Sequence, residues 1–302
     1  MTPQHAVAPR YLIVTADDFG LHESVNDAIE QASHAGVLTA ASLMISGPAA
    51  ADAIRRAQRL PNLRIGLHLV LADGRSTLPP SQIPALAGPD GFMDAGMVQR
   101  GFQIFANPFA RRQAAAEIRA QLEAFRRTGL RLDHVNAHKH FHLHPTVLSI
   151  LLSLAREFGI RAIRVPQEPV WFARSNGRWH AAASSASLAP LTAAMKYRIR
   201  AAGLFHNDRV FGIAMSGAMD EGTMLAVLAR LEPGVTEIYL HPASQSGSVI
   251  SPSMPAYRHS EELAALLSPR VRAAVQATGI KLGGYSDVLQ YLAGPAVVYS
   301  GQ

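Results

Sequence analysis

The chain has 302 residues, 48% of them hydrophobic and 17% charged, a balance that excludes intrinsic disorder and permits one large core. No stretch approaches the roughly 20 uninterrupted apolar residues of a membrane span, and the absence of cysteine leaves any metal to His and carboxylate ligands. The net charge of +6 comes from Lys and Arg scattered without aromatic interleaving, so nucleic acid is not an expected partner, whereas an anionic membrane surface is.

Met1 to Arg10 lacks the basic start and apolar core of a secretory signal, which predicts a cytoplasmic protein. Tyr11 to Asp17 reads as a strand ending in the acidic pair Asp17-Asp18, followed by a helix from Ser24 to about Ala35. Leu38 to Ser46 reads as a second strand, an Ala-rich helix runs through Arg59, and Arg64 to Val70 forms a third strand. This alternation argues for a parallel sheet or barrel. Ala72 to Met97, rich in Gly, Pro, Asp and Ser, reads as a long loop, and such loops are usually lids or binding loops. A helix is predicted over Pro108 to Thr128, a strand over Leu132 to Asn136, a helix over Pro145 to Phe158 and a strand over Ile160 to Val165.

Residues 167–207 break the rhythm and read as an insertion-like segment, with a basic amphipathic helix over Leu188 to Phe205. It either packs on the barrel or lies in a membrane interface; packing is the ordinary explanation. Strands over Val210 to Ala214 and Val235 to Leu240 flank a helix from Glu221 to Arg230. A loop over Ser244 to Arg258, helices near Glu261 to Leu267 and Pro269 to Thr278, and a short run at Ile280 to Leu282 follow. With no repeat or linker evident, residues 1–302 are expected to form a single domain with its core at about 11–287, a distorted (β/α) TIM-like barrel.

The reactive groups fall at predicted strand ends. Asp17 and Asp18 follow the first strand, His68 lies late in the third, Arg164 is near the end of another, and His241 follows Leu240. His134, His138, His140, His142 and His144, five of the chain's 13 histidines, lie in one tract where a strand emerges. The carboxyl ends of parallel strands converge on the ligand site of α/β folds, so these residues can meet. Two His and one carboxylate leave positions open at a divalent ion for water and substrate, and a second carboxylate can act as base. Each residue also has an ordinary role: Asp18 as a turn cap, His68 as a core histidine, Arg164 as an ion-paired residue and His241 as a strand terminator.

Taken in order, Thr15-Ala-Asp-Asp-Phe-Gly-Leu21, Val25-Asn26, Gly36-Val-Leu-Thr39, Ser42-Leu-Met44, Gly66-Leu-His-Leu69, His134-Val-Asn-Ala-His-Lys-His140 and His241-Pro242 resemble the YdjC-like (ChbG-type) carbohydrate deacetylases from about Tyr11 to Asp287. The His-rich variant is most similar to the hopanoid-biosynthesis-associated HpnK branch. The resemblance implies removal of acetyl from an N-acetylated sugar, with one divalent ion, zinc or magnesium, held by Asp18, His68 and His138. It implies Asp17 as general base, His241 as acid or oxyanion stabiliser, Arg164 orienting Asp17, and His140 and Asn136 at the substrate pocket. Many relatives carry Asp-Ser where this chain has Asn136-Ala137, so support of a ligand histidine here is weaker in charge though an amide oxygen remains. A lipid-linked or soluble sugar substrate, contact with the inner face of the membrane and a homodimer are the further expectations, and a non-catalytic barrel that binds metal and sugar is the alternative to an enzyme.

Overall fold

The computed structural model describes residues 9–244 and 250–293. In chain order the elements are β1 (Arg10–Phe19), α1 (Glu23–Ala35), β2 (Ala40–Leu43), α2 (Ala50–Ala57), β3 (Arg64–Leu69), β4 (Gly74–Arg75), β5 (Phe92–Met93), α3 (Met97–Ala106), α4 (Pro108–Arg127) and β6 (Val135–Ala137). A 3-10 segment at His138–Leu143 leads to α5 (Pro145–Phe158), α6 (Val170–Ser175), α7 (Trp179–Ala201), β7 (Arg209–Phe211), α8 (Glu221–Leu228), β8 (Gly234–Leu240), α9 (His259–Leu267), α10 (Pro269–Ala277), β9 (Lys281–Leu282) and α11 (Tyr285–Ala293).

The main sheet is parallel and curled, in the order β6-β3-β2-β1-β8-β7, with β9 also pairing β1. Its hub is β1, whose residues 10–16 run in register with residues 234–240 of β8. Between β6 and β7 the wall thins to isolated bridges, Val135 with Ile163 and Ala162 with Phe205. The result is a half-barrel in place of a regular eight-stranded ring. The strand predicted over Ile160 to Val165 is therefore reduced to bridging residues. Pro166 lacks an N–H and disfavours regular pairing just where the segment ends.

Side chains alternate across a strand, so odd residues of β1 share one face. Inside the curl, Tyr11, Ile13, Ala40, Ala162, Val235 and Tyr285 form a small apolar layer. One step further along the strands the same face carries Thr15, Ser42, Asn136, Arg164 and Glu237, all fully buried and polar. Asp17, His68, His138 and His241 crown this polar layer at the carboxyl ends. The opposite face, with Leu12, Val14 and Ala16, packs into the main core under the helices.

Two loop regions differ from expectation. Ala72 to Met97 contains the β4-β5 ribbon and a 3-10 turn at Pro80–Gln82. Buried side chains of α4 pin it: Glu117 accepts from the Thr77 and Leu78 N–H groups, and Gln113 from that of Ala85. Beyond it lies α3, a helix absent from the sequence reading because Gly101, a poor helix former, sits at its centre and because Ile104 buries while Val98, Phe102 and Phe105 stay exposed. Residues 167–207 hold α6 and α7, the latter starting nine positions earlier than predicted and passing through Pro190. Thr192, Met195 and Ile199 are its inward side, so the segment packs on the barrel. Among the described residues no helix is long and apolar enough to cross a membrane.

Candidate active site

The acidic pair is placed by a bulge. Register between β1 and β2 slips between Ala16 and Phe19, and Asp18 takes a left-handed backbone at φ 63°. Neighbouring side chains on an extended strand point to opposite faces; with the bulge, Asp17 lines the cavity and Asp18 meets His68 and His138, which line it too. The site holds this uncommon conformation in place through Leu21, whose N–H bonds to the Asp18 carbonyl at 3.0 Å, and Asn26, whose side chain accepts from Gly20 at 2.8 Å.

Asp18 Oδ1 lies 3.2 Å from His68 Nε2 and 3.0 Å from His138 Nδ1. One ligand atom from each of the three residues falls within 4.8 Å of the others. Asp18 Oδ2 is buried with no hydrogen-bond partner among the described residues, an expensive arrangement unless something else meets it. A cation fits this set on chemistry as well, since two imidazoles and a carboxylate suit a divalent transition metal with positions left open. The formal charges agree: Asp17, Asp18 and Glu237 against Arg164 leave two buried negative charges, which one divalent ion balances. Burial opposes charging of His138, yet the Asp18 and Asp73 carboxylates raise its pKa to about 9.

His68 is held from behind. Its Nδ1 faces Asn136 Oδ1 at 2.7 Å, which sets the tautomer that frees Nε2. The same amide donates through Nδ2 to Asp17 Oδ1 at 3.1 Å and to Ser42 Oγ at 2.8 Å. Asn136, expected in the substrate pocket, is thus fully buried beneath it and does not line the cavity.

Asp17 accepts two bonds from Arg164, at 2.5 Å and 3.1 Å. Burial would raise its pKa, but the Arg164 guanidinium, with His68 and His241, holds the carboxyl well below the usual carboxylate range. Arg164 is itself fixed by Glu237, through Nε at 2.9 Å and Nη2 at 2.7 Å, and lies 4.7 Å over the Tyr239 ring. Glu237 takes further bonds from Thr15 and Tyr285, each at 2.6 Å.

The cavity above these groups has a volume of about 160 Å³ and is lined by Asp17, His68, His138, His140, His241, Tyr239 and Tyr257 among others. His140 adopts φ 55° and bonds to the Tyr239 hydroxyl at 3.0 Å, away from the Asp18 cluster. His241 presents a buried Nδ1 without a partner among the described residues, and its burial lowers its pKa, which keeps it neutral. The other tract histidines serve the fold. His142 bonds to the Arg164 carbonyl at 2.8 Å, His134 bridges Asp133 and Ser42, and His144 stacks on Phe141.

A family model described as YdjC-like protein matches residues 11–277. The chain belongs to the YdjC-like family. A carbohydrate deacetylase of Geobacillus stearothermophilus is 32% identical over 281 residues, covering 92% of this chain and 98% of its own. A chitooligosaccharide deacetylase of Klebsiella pneumoniae subsp. pneumoniae is 30% identical over 280 residues, covering 92% and 99%. A solved protein of Enterococcus faecalis V583 superposes with a TM-score of 0.72 at 24% identity, over 93% of this chain and 99% of that one.

This YdjC-like site includes residues that the motifs did not single out. Glu237 and Tyr239 stand at alternate positions of β8, and a charged residue inside an apolar strand was the available signal, since buried charge must be paired. Asp73, at φ 54°, lies 3.5 Å from His138 Nε2 and 2.8 Å from Lys139 Nζ, and gave no signal in a polar loop. Two buried glutamates shape the rim by accepting backbone N–H groups. Glu168 takes those of Gly212, Ile213 and Ala214, and Glu262 those of Met219 and His241.

Proposed function

We propose that this protein hydrolyses the acetamide of an N-acetylglucosaminyl group, releasing acetate and a free amine. The observation that carries the reading is the meeting of Asp17, Asp18, His68, His138 and His241 around one cavity, from β1, β3, the exit of β6 and the exit of β8. The named activities of the Geobacillus and Klebsiella relatives point the same way.

Asp18, His68 and His138 would hold the divalent ion, zinc or magnesium, with two imidazoles favouring zinc. When bound, such an ion supplies Lewis-acid polarisation of the amide carbonyl and lowers the pKa of water beside it. Asp17, kept ionised by Arg164, takes a proton from the attacking water as its oxygen bonds to the carbonyl carbon. The C–N bond then breaks, and the proton passes from Asp17 to the departing nitrogen. Neutral His241 suits a hydrogen-bond donor to the carbonyl oxygen as charge grows there. Arg164 and Asn136 position Asp17, and His140 forms the pocket wall with Tyr239.

For the substrate, the His-rich motif favours a glucosaminyl group carried by a hopanoid lipid, met at the inner face of the membrane by a cytoplasmic enzyme. The Klebsiella relative favours a soluble chitooligosaccharide. Acetate release from N-acetylglucosaminyl hopanoid and from diacetylchitobiose, each with added metal and with chelator, separates the two. Acetate from neither substrate sinks the hydrolase reading, and an Asp17→Asn enzyme with unchanged kcat removes the proposed base.

A further inference from the structure

Beside the reaction cavity lies a second, larger concavity with a volume of about 650 Å³. One wall is α3 with Phe102 and Phe105, the other is the middle of α7 with Leu188 and Leu191, and the floor is Phe141 and Leu143. Lys139, His140 and Ile213 line both spaces, so the groove borders the cavity directly. Along α3, Val98, Phe102 and Phe105 recur at helical spacing and are 89%, 73% and 60% exposed. Scattered exposed apolar residues need no explanation, but a contiguous apolar stripe at the edge of a reaction site marks a binding surface.

We infer that this groove binds an apolar group carried by the same substrate as the N-acetylated sugar, so that the sugar enters the polar cavity while its aglycone lies between α3 and α7. The inference rests on the deacetylase reading for the cavity. Its own basis is that the two spaces share three lining residues. A second copy of the chain covering the stripe would also cover these residues at the edge of the cavity, which is why a substrate group is the occupant chosen. Aromatic walls accept a flexible chain or a fused ring system without polar partners, and a free oligosaccharide would leave its hydroxyls unpaired there.

The test compares octyl and methyl N-acetyl-β-glucosaminides, using wild type, Phe105→Ser and Leu188→Ser, both at exposed positions where folding is not at stake. Each buried methylene is worth about fourfold, so wild-type kcat/KM for the octyl glycoside is expected to exceed that for the methyl glycoside by at least about tenfold. Both variants should lose most of that preference and leave methyl-glycoside turnover unchanged. Equal turnover of both glycosides by wild type, or equal loss on both in the variants, overturns the inference. So does a variant whose only change is from dimer to monomer by light scattering. If neither glycoside yields acetate, the deacetylase reading fails separately. Calorimetric binding of octyl against methyl β-glucoside then still decides the groove, with no chain-length dependence counting against it.

Discussion

Asn136→Asp puts the buried polar layer to a direct trial. The Asn136 amide donates to Asp17 Oδ1 at 3.1 Å, and accepts from His68 with its oxygen. A carboxylate oxygen in place of Nδ2 would face an ionised Asp17 across that distance. At an effective dielectric constant of about 20 the repulsion is about 5 kcal/mol, and Arg164, already shared with Glu237, offsets only part of it. The introduced carboxyl, once protonated, would instead donate to Asp17 and restore the bond. Its folded-state pKa is therefore raised above the unfolded value of about 3.9. The variant should match wild type below that value and lose stability as pH rises toward the folded pKa. Urea unfolding from pH 4 to 8 should show a deficit that opens with pH to a few kcal/mol. A deficit that does not vary with pH, or none at pH 8, would refute the account of Asn136 as a neutral bridge.

Three further outcomes follow from the same geometry. Asp18→Asn should abolish stoichiometric metal binding, read as metal content after dialysis; retention of a full equivalent would place the ion elsewhere. Asp73→Asn, which removes the carboxylate facing His138 Nε2, should weaken metal affinity about 10–100-fold in competition with a chromophoric chelator, and an unchanged Kd would show that Asp73 serves only Lys139. Burial raises Glu168 and Glu262 to about 7 from the ordinary 4.5. Their folded pKa is the higher one, so the stability they contribute is present below about 4.5 and lost as pH rises through 7. Glu262→Gln should flatten part of that fall, and an unaltered stability-pH profile would argue that Glu262 does not titrate there.

Much of the site was legible because it is local. The strand-end positions of Asp17, His68 and His241 follow from short apolar runs and their stops, and parallel sheets gather such ends by construction. The layering of β1 and β8 was not legible, since alternation orders faces only within one strand and the register between β1 and β8 is what puts Thr15 and Glu237 on a common face. Sequence patterns failed where backbone conformation departs from its local default. The Asp18 bulge, the left-handed turn at Lys139 and His140, and the strand at residues 160–165 reduced to bridges all depend on what surrounds them. The helix α3 was missed because Gly101 sits in its middle and its apolar residues split between buried Ile104 and exposed Val98, Phe102 and Phe105, which blurs the single apolar face from which a helix is read.

By itself the sequence determined the α/β alternation, the order in which strands form and the residue types available for chemistry, because these depend on periodicity and composition along a few contiguous residues. The family resemblance pointed to His138 out of five clustered histidines; the tertiary structure supplied its contact with Asp18, and it alone decided that Asn136 works from beneath the pocket. It also decided that an apolar groove opens beside the polar cavity. Each is a contact between residues far apart in the chain, set by the curl of the sheet, which no local pattern encodes.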